Sequence, residues 1–271
     1  MAIFGERKSD FDRRGEDWDG KYAIEFRDVH KAYGQNHVLD GTSVKVPAGR
    51  LTMLMGPSGT GKSVFIAHAI GLTRPDSGDV LVEGVSIPNL EDDELLKIRR
   101  EKFGVLFQDG ALFSSMSVLD NVAFPLRQNT DKSEDEILDI VHRRLADVGL
   151  REAASLAPSE LSGGMRKRAG FARALAMDPS IVFFDEPDSG LDPVRTALLC
   201  QLIQEIHEDQ GGTYVVVTHD MLSARRIGEH IALLWKGKIV AEGPAQELFD
   251  SDEPFVRQFL NGESRGPLGM D

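Results

Sequence analysis

The 271-residue chain has one cysteine, Cys200, so no disulfide can form within it, and the composition fits a reducing compartment. Set in Ala197-Leu198-Leu199-Cys200, that thiol is expected to pack as a core residue. Uninterrupted apolar sequence is also scarce: no stretch reaches the ~18 residues that a membrane-spanning helix requires. The start, Met1-Ala2-Ile3-Phe4-Gly5-Glu6-Arg7-Lys8, lacks the apolar core of a signal peptide. The expectation is a cytoplasmic protein with no direct membrane span. Basic charge is in deficit, with 31 lysines and arginines against 44 aspartates and glutamates and a net charge of −13. Such a balance offers no electrostatic grip on nucleic acid or on anionic headgroups. Internal repeats and low-complexity tracts are missing too, and the length suits one domain with an inserted subdomain or two small ones.

What is present centres on Gly56-Pro57-Ser58-Gly59-Thr60-Gly61-Lys62-Ser63, which fits G-x-x-x-x-G-K-[ST], the phosphate loop of nucleotide hydrolases. Gly59 and Gly61 permit positive φ, so successive N–H groups can turn inward around a phosphate. Lys62 then brings a positive charge to the β/γ-phosphates, and the Ser63 hydroxyl is placed to hold Mg²⁺. The flanks agree: Leu51-Thr52-Met53-Leu54-Met55 reads as a buried strand, and Val64 to Ile70 as a helix whose N-terminus faces the phosphates.

Upstream, residues 1–20 are largely charged and read as a poorly ordered tail. Ala23 to Val29 and Val44-Lys45-Val46 alternate apolar and polar side chains, as half-buried antiparallel strands do. Tyr33, in the turn between them, suits either adenine stacking or a plain strand end. The region from about 89 to 175 turns helical and amphipathic, as an inserted subdomain would. Within it, Gln108 ends a short strand, where an amide reaches a metal or a water, or merely caps the loop. Ala111 to Leu126 is apolar and reads as a docking surface or as subdomain core. Ser162-Gly163-Gly164 heads a helix with small residues on its packing face. It reads as an N-cap or as a second anion-binding terminus.

Ile181-Val182-Phe183-Phe184-Asp185-Glu186 is a continuous apolar run with two acids where it leaves the sheet, the position where open α/β sheets bind ligands. Asp185 fits a Mg²⁺ partner and Glu186 a general base. Thr213 to Thr218 is a further buried strand that delivers His219, while the six other histidines read as structural. Ile231 to Gly243 carries a hairpin signature, and the sequence beyond Phe259 lacks periodicity.

Taken in order, Tyr33, the phosphate loop, Gln108, Leu161-Ser162-Gly163-Gly164, Asp185-Glu186, Ser189-Gly190-Leu191-Asp192 and His219 resemble the nucleotide-binding subunit of ATP-binding cassette transporters. The resemblance implies an α/β fold with a P-loop NTPase core on a mainly parallel sheet, an antiparallel β subdomain and an inserted helical subdomain. The ATPase domain would occupy 21–251 and a C-terminal tail 252–271. It implies ATP and Mg²⁺ as ligands: adenine on Tyr33, phosphates on Gly56, Pro57, Ser58, Gly59, Thr60, Gly61, Lys62, Ser63 and Val64, and Mg²⁺ on Ser63, Gln108 and Asp185. Glu186 is implied as base, with Lys62, Gln108 and His219 as the other catalytic groups.

The family also implies a head-to-tail homodimer in which Ser162 and Gly164 of one subunit close on ATP held by the other, and it counts Gly163 and Asp192 among the nucleotide-binding residues as well. Met165 stands where this family usually has Gln. The stretches Leu106 to Phe113, Asp120 to Arg127 and Ser162 to Arg168 look like the ATPases of Mce- and Mla-type lipid transport systems. Asp188 and the ending from Gln258 look most like the actinobacterial Mce-associated form. That likeness implies an integral membrane permease and Mce-type lipid-binding envelope proteins as partners, at the cytoplasmic face of the inner membrane. It further implies a tail after Gly262 that clasps the second subunit. An importer ATPase for another small substrate, or a soluble cassette acting in translation or DNA repair, remain alternatives.

Overall fold

In chain order the strands are β1 (Tyr22–Tyr33), β2 (Asn36–Pro47), β3 (Leu51–Met55), β4 (Ser77–Val82), β5 (Val85–Ser86), β6 (Phe103–Leu106), β7 (Ile181–Asp185), β8 (Thr213–Thr218), β9 (His230–Trp235) and β10 (Lys238–Pro244). The helices are α1 (Lys62–Ala69), α2 (Asp92–Lys102), α3 (Val118–Asn129), α4 (Glu134–Asp147), α5 (Gly163–Leu175), α6 (Pro193–Gln210), α7 (Met221–Ile227), α8 (Ala245–Phe249) and α9 (Pro254–Asn261). This computed structural model describes residues 20–263 and 265–268, so the tail expected over 1–20 lies, but for Gly20, outside the described residues.

Two sheets form, one of order β2-β1-β4-β5 and antiparallel, the other of order β10-β9-β3-β8-β7-β6. In the larger sheet every neighbouring pair is parallel except β10 with β9. Its central strands are buried on both faces, which explains their unbroken apolar sequence. Leu51, Met53 and Met55 of β3, with Val182 and Phe184 of β7, face a core shared with α3, α4, α5 and α6. Leu54, Ile181 and Phe183 face the opposite core, shared with α1, α2 and the antiparallel sheet. Phe65 of α1 stacks on Phe26 of β1 with ring centroids 4.1 Å apart, fastening the helix of the phosphate loop to the smaller sheet.

The stretch 89–175 is not one helical insertion. Leu95 and Ile98 of α2 are buried with the antiparallel sheet, and β6 is the edge strand of the large sheet, paired in parallel with β7. The helical unit proper is α3 and α4, which lean on α5. Pairing and burial, neither visible in a local helical period, draw α2 and β6 elsewhere. The segment after 251 also departs from the reading of a bare tail. Pro at the first turn and a Glu253 cap on the Val256 N–H start α9, whose Val256 and Leu260 are buried. Beyond it, the Leu268 N–H donates to Gln258 Oε1 at 2.8 Å and its side chain is buried, so the chain folds back on itself.

Candidate active site

Four loops leave the carboxyl edge of the large sheet side by side, after β3, β8, β7 and β6, and they carry the residues that the sequence singled out. Between β3 and α1 the phosphate loop turns with φ of +80° at Gly59 and +97° at Gly61. A side chain at Gly61 would in addition place its Cβ 2.7 Å from Val38 Cγ1 of β2, so glycine is required there twice over. That contact brings the β1–β2 hairpin, with Tyr33 at its tip, up to the loop. Tyr33 is 51% exposed, free to offer a ring face, and Lys31 Nζ lies 5.6 Å from the ring centroid.

Lys62 is 5% exposed, and its Nζ donates to the carbonyls of Gly56 at 2.8 Å and Pro57 at 3.0 Å. Burial pushes its pKa below the usual lysine range, while the Glu186 and Asp185 carboxylates push it back up. Such an ammonium, held by loop carbonyls in a half-dry site, is ready to exchange them for phosphate oxygens. The loop is pinned by Thr60 Oγ1 donating to the Pro57 carbonyl at 2.9 Å.

Asp185 closes β7, and Ser63 Oγ donates to its Oδ1 at 3.3 Å. Burial raises the Asp185 carboxyl above its ordinary range, and the Ser63 hydrogen bond only partly offsets this. An under-compensated carboxylate beside a hydroxyl is a pair of hard oxygen donors that fits Mg²⁺. Gln108 is exposed two residues past Leu106, which pairs with Phe184, so Gln108 and Glu186 leave adjacent strands in register.

Glu186 adopts φ of +47°, uncommon for a residue with a side chain, and its N–H donates to the Val217 carbonyl at 2.9 Å. Its Oε1 lies 3.9 Å from Lys62 Nζ and 3.6 Å from His219 Nδ1. Loop, acids and histidine therefore converge within one chain.

Other candidates do not join them there. Ser162 caps α5, its Oγ accepting from the Met165 N–H at 3.3 Å, and with Gly164, Arg195 and Leu198 it lines a separate cleft of about 550 Å³. Asp192 caps α6, accepting from the N–H groups of Val194 at 3.1 Å and Arg195 at 3.0 Å. Within the chain its carboxylate is engaged as a helix cap rather than at the loop. The apolar stretch 111–126 divides: Val118, Val122, Ala123 and Leu126 are core, while Phe113 is 43% exposed.

Lys167, which the sequence reading passed over, is buried in this region. Its Nζ donates to the Ser189 carbonyl at 2.6 Å, to Ser189 Oγ at 3.1 Å and to the Glu186 carbonyl at 3.4 Å. The signal was available: a lysine on the helix face shared with Gly163, Gly170, Phe171 and Ala174 lies among small and apolar neighbours. Asp188 Oδ2 accepts from Thr218 Oγ1 and Ser223 Oγ, and its Oδ1 is buried without a hydrogen-bond partner.

A phosphate loop at the carboxyl edge of a mainly parallel sheet defines the class, a P-loop nucleotide hydrolase. The ABC transporter family model matches residues 39–189. Over 248 residues the chain is 51% identical to a Mycobacterium leprae protein named probable ribonucleotide transport ATP-binding protein mkl, covering 92% of this chain and 71% of that one. It is 43% identical over 245 residues to the Escherichia coli intermembrane phospholipid transport system ATP-binding protein MlaF, covering 90% of this chain and 91% of that one. A solved ATP-binding cassette, dimeric in a post-hydrolysis state bound to ADP and Pi, superposes with a TM-score of 0.76 at 34% identity, over 82% of this chain and 98% of that one. The chain belongs to the ABC transporter family, as an ATP-binding subunit that hydrolyses ATP. Among the described residues, no helix is long and apolar enough to cross a membrane.

Proposed function

We propose that this ATPase powers lipid or sterol transport through an integral membrane permease of the Mce/Mla type, working as a homodimer at the cytoplasmic face of the inner membrane. The observation that carries the chemistry is Glu186 Oε1 lying within 4 Å of both Lys62 and His219. The lipid assignment rests on the 43% identity to a phospholipid-transport ATPase and on the Mce/Mla-like stretches of sequence. Mce-type lipid-binding envelope proteins complete the assembly.

In this reading Tyr33 stacks on adenine, and the backbone of Gly56–Ser63 and Val64 cradles the phosphates, with Lys62 moving from the Gly56 and Pro57 carbonyls to the β/γ-phosphates. Ser63, Gln108 and Asp185 hold Mg²⁺, which when bound neutralises charge developing on the phosphoryl oxygens. Glu186 orients and deprotonates the attacking water, and His219 contacts the γ-phosphate. Ser162, Gly163, Gly164 and Asp192, which stand apart from the loop of their own chain, meet the ATP of a second subunit. Hydrolysis then opens the dimer, and exposed Phe113 lies on the face that passes the motion to the permease.

The name of the mycobacterial relative favours a second reading, in which the same ATPase serves an importer of ribonucleotides. A mild-detergent pull-down of the Glu186→Gln protein with ATP and Mg²⁺, followed by mass identification and lipid extraction, separates the two. A permease with envelope lipid-binding proteins and bound lipid supports the first. A permease without lipid contradicts it, and ribosomal or DNA-bound partners overturn transport altogether.

A further inference from the structure

The helix α5 is tied by its buried face to both loops that carry the acid and amide of the site. At its C-terminal half, Arg173 donates to the carbonyls of Gly110 at 2.9 Å and Ala111 at 2.7 Å, just past Gln108. Gly170 lies so close that an added Cβ would stand 2.8 Å from the Gly110 carbonyl oxygen. One turn earlier, Lys167 reaches the turn after β7 and donates to Glu186 and Ser189.

The contact with Glu186 matters because of its backbone. A φ of +47° costs a residue with a side chain on the order of 1–3 kcal/mol, so it persists only where the surroundings fix it. The Glu186 N–H is fixed by Val217 of β8, and the Glu186 carbonyl accepts from the Ser189 N–H at 3.1 Å and from Lys167 Nζ at 3.4 Å, while Lys167 also holds the Ser189 carbonyl at 2.6 Å. Both peptide groups that set the direction of the Glu186 side chain are thereby anchored, one to the sheet and the other to the turn from Glu186 to Ser189, which Lys167 of α5 clamps. Burial pushes the Lys167 ammonium below the usual lysine range, while Asp188, Asp109 and Glu186 push it back up. A buried ammonium gripping carbonyls is costly to leave unmade, so it resists displacement.

We propose that Lys167 is a positioning residue for hydrolysis, acting through the turn from Glu186 to Ser189 that it clamps, and that it makes the aim of the Glu186 carboxylate depend on where α5 stands. The far end of α5 carries Ser162–Gly164, so closure on a second subunit's ATP is transmitted to the base of the same chain. This inference rests on the reading of Glu186 as the base, and its test keeps the two apart.

Steady-state ATP turnover of the full chain with Mg²⁺ is measured for wild type, Lys167→Met, Lys167→Gln, Glu186→Gln and the double variant Lys167→Met/Glu186→Gln, with thermal melts alongside. Lys167→Met is expected to lower kcat by about tenfold or more while KM for ATP moves less than about twofold, since the Lys167 ammonium is buried and engaged on the turn from Glu186 to Ser189. Lys167→Gln, which can still donate to a carbonyl, is expected to recover part of kcat. In the Glu186→Gln background, adding Lys167→Met should change the residual turnover by less than about twofold, because the group it positions is already gone.

Wild-type kcat in a folded Lys167→Met protein, with Glu186→Gln inactive, overturns the positioning role alone. An equal loss in both backgrounds also overturns it, since that marks a general structural defect. Near-normal turnover of Glu186→Gln removes the base and the inference with it. Where Lys167→Met does not fold, Lys167→Gln carries the same cycle.

Discussion

Glu186 Oε1 and His219 Nδ1 lie 3.6 Å apart although 33 residues separate them, because β7 and β8 are parallel neighbours that end level with one another. The same edge brings Lys62 Nζ to 3.9 Å from that oxygen. A carboxylate near both a buried lysine and a half-exposed histidine suits the general-base role proposed for Glu186.

Lys62 is expected to dominate ATP affinity. Lys62→Ala removes charge-assisted hydrogen bonds worth about 3 kcal/mol, or roughly a hundredfold in Kd. Calorimetric titration with ATP checks this, and retained tight binding contradicts a phosphate role.

Asp185 gives a pH dependence whose sign is fixed. Its folded pKa is raised by burial, so the ionised form costs stability above that pKa, and the cost is relieved as pH falls through it. Asp185→Asn is therefore expected to raise the Tm of the nucleotide-free protein at neutral pH, with the difference shrinking on acidification. It should also abolish Mg²⁺-dependent turnover. A lower Tm at neutral pH, or a difference that grows on acidification, contradicts the assignment.

Phe65 stacks on Phe26 and is 1% exposed. Phe65→Ala should cost about 3–5 kcal/mol of stability. Because α1 begins at Lys62, the loop loses its support as well. Urea unfolding together with ATP titration reads both effects, and a loss of stability under about 1 kcal/mol contradicts the packing described.

The end of the chain is expected to stabilise its own subunit. Truncation after Glu263 strips Leu268 from Gln258 and should lower stability by about 1–3 kcal/mol. An unchanged urea midpoint contradicts this, and loss of dimer without loss of stability would favour a clasp on the second subunit.

Much of the catalytic edge was legible because its chemistry is local. The glycine spacing around Lys62 and the apolar run ending in Asp185-Glu186 are contiguous, and they place strand, loop and acids without knowledge of the rest. What escaped depends on contacts across the chain. The amphipathic pattern of α2 shows a buried face but not that Leu95 and Ile98 bury it against the antiparallel sheet. Asp192 reads as a site residue in sequence, but that its carboxylate also caps α6 is seen only in the fold. The helix face of Lys167 hints at burial, but only the fold shows its ammonium on the Ser189 and Glu186 carbonyls.

The most direct test is Glu186→Gln, measured for ATP binding, ATP-dependent dimerisation and turnover in one preparation. The site described predicts binding within severalfold of wild type, a dimer that persists with ATP, and turnover lowered about a hundredfold or more, the usual worth of a positioned general base. Turnover close to wild type would contradict the account at its centre.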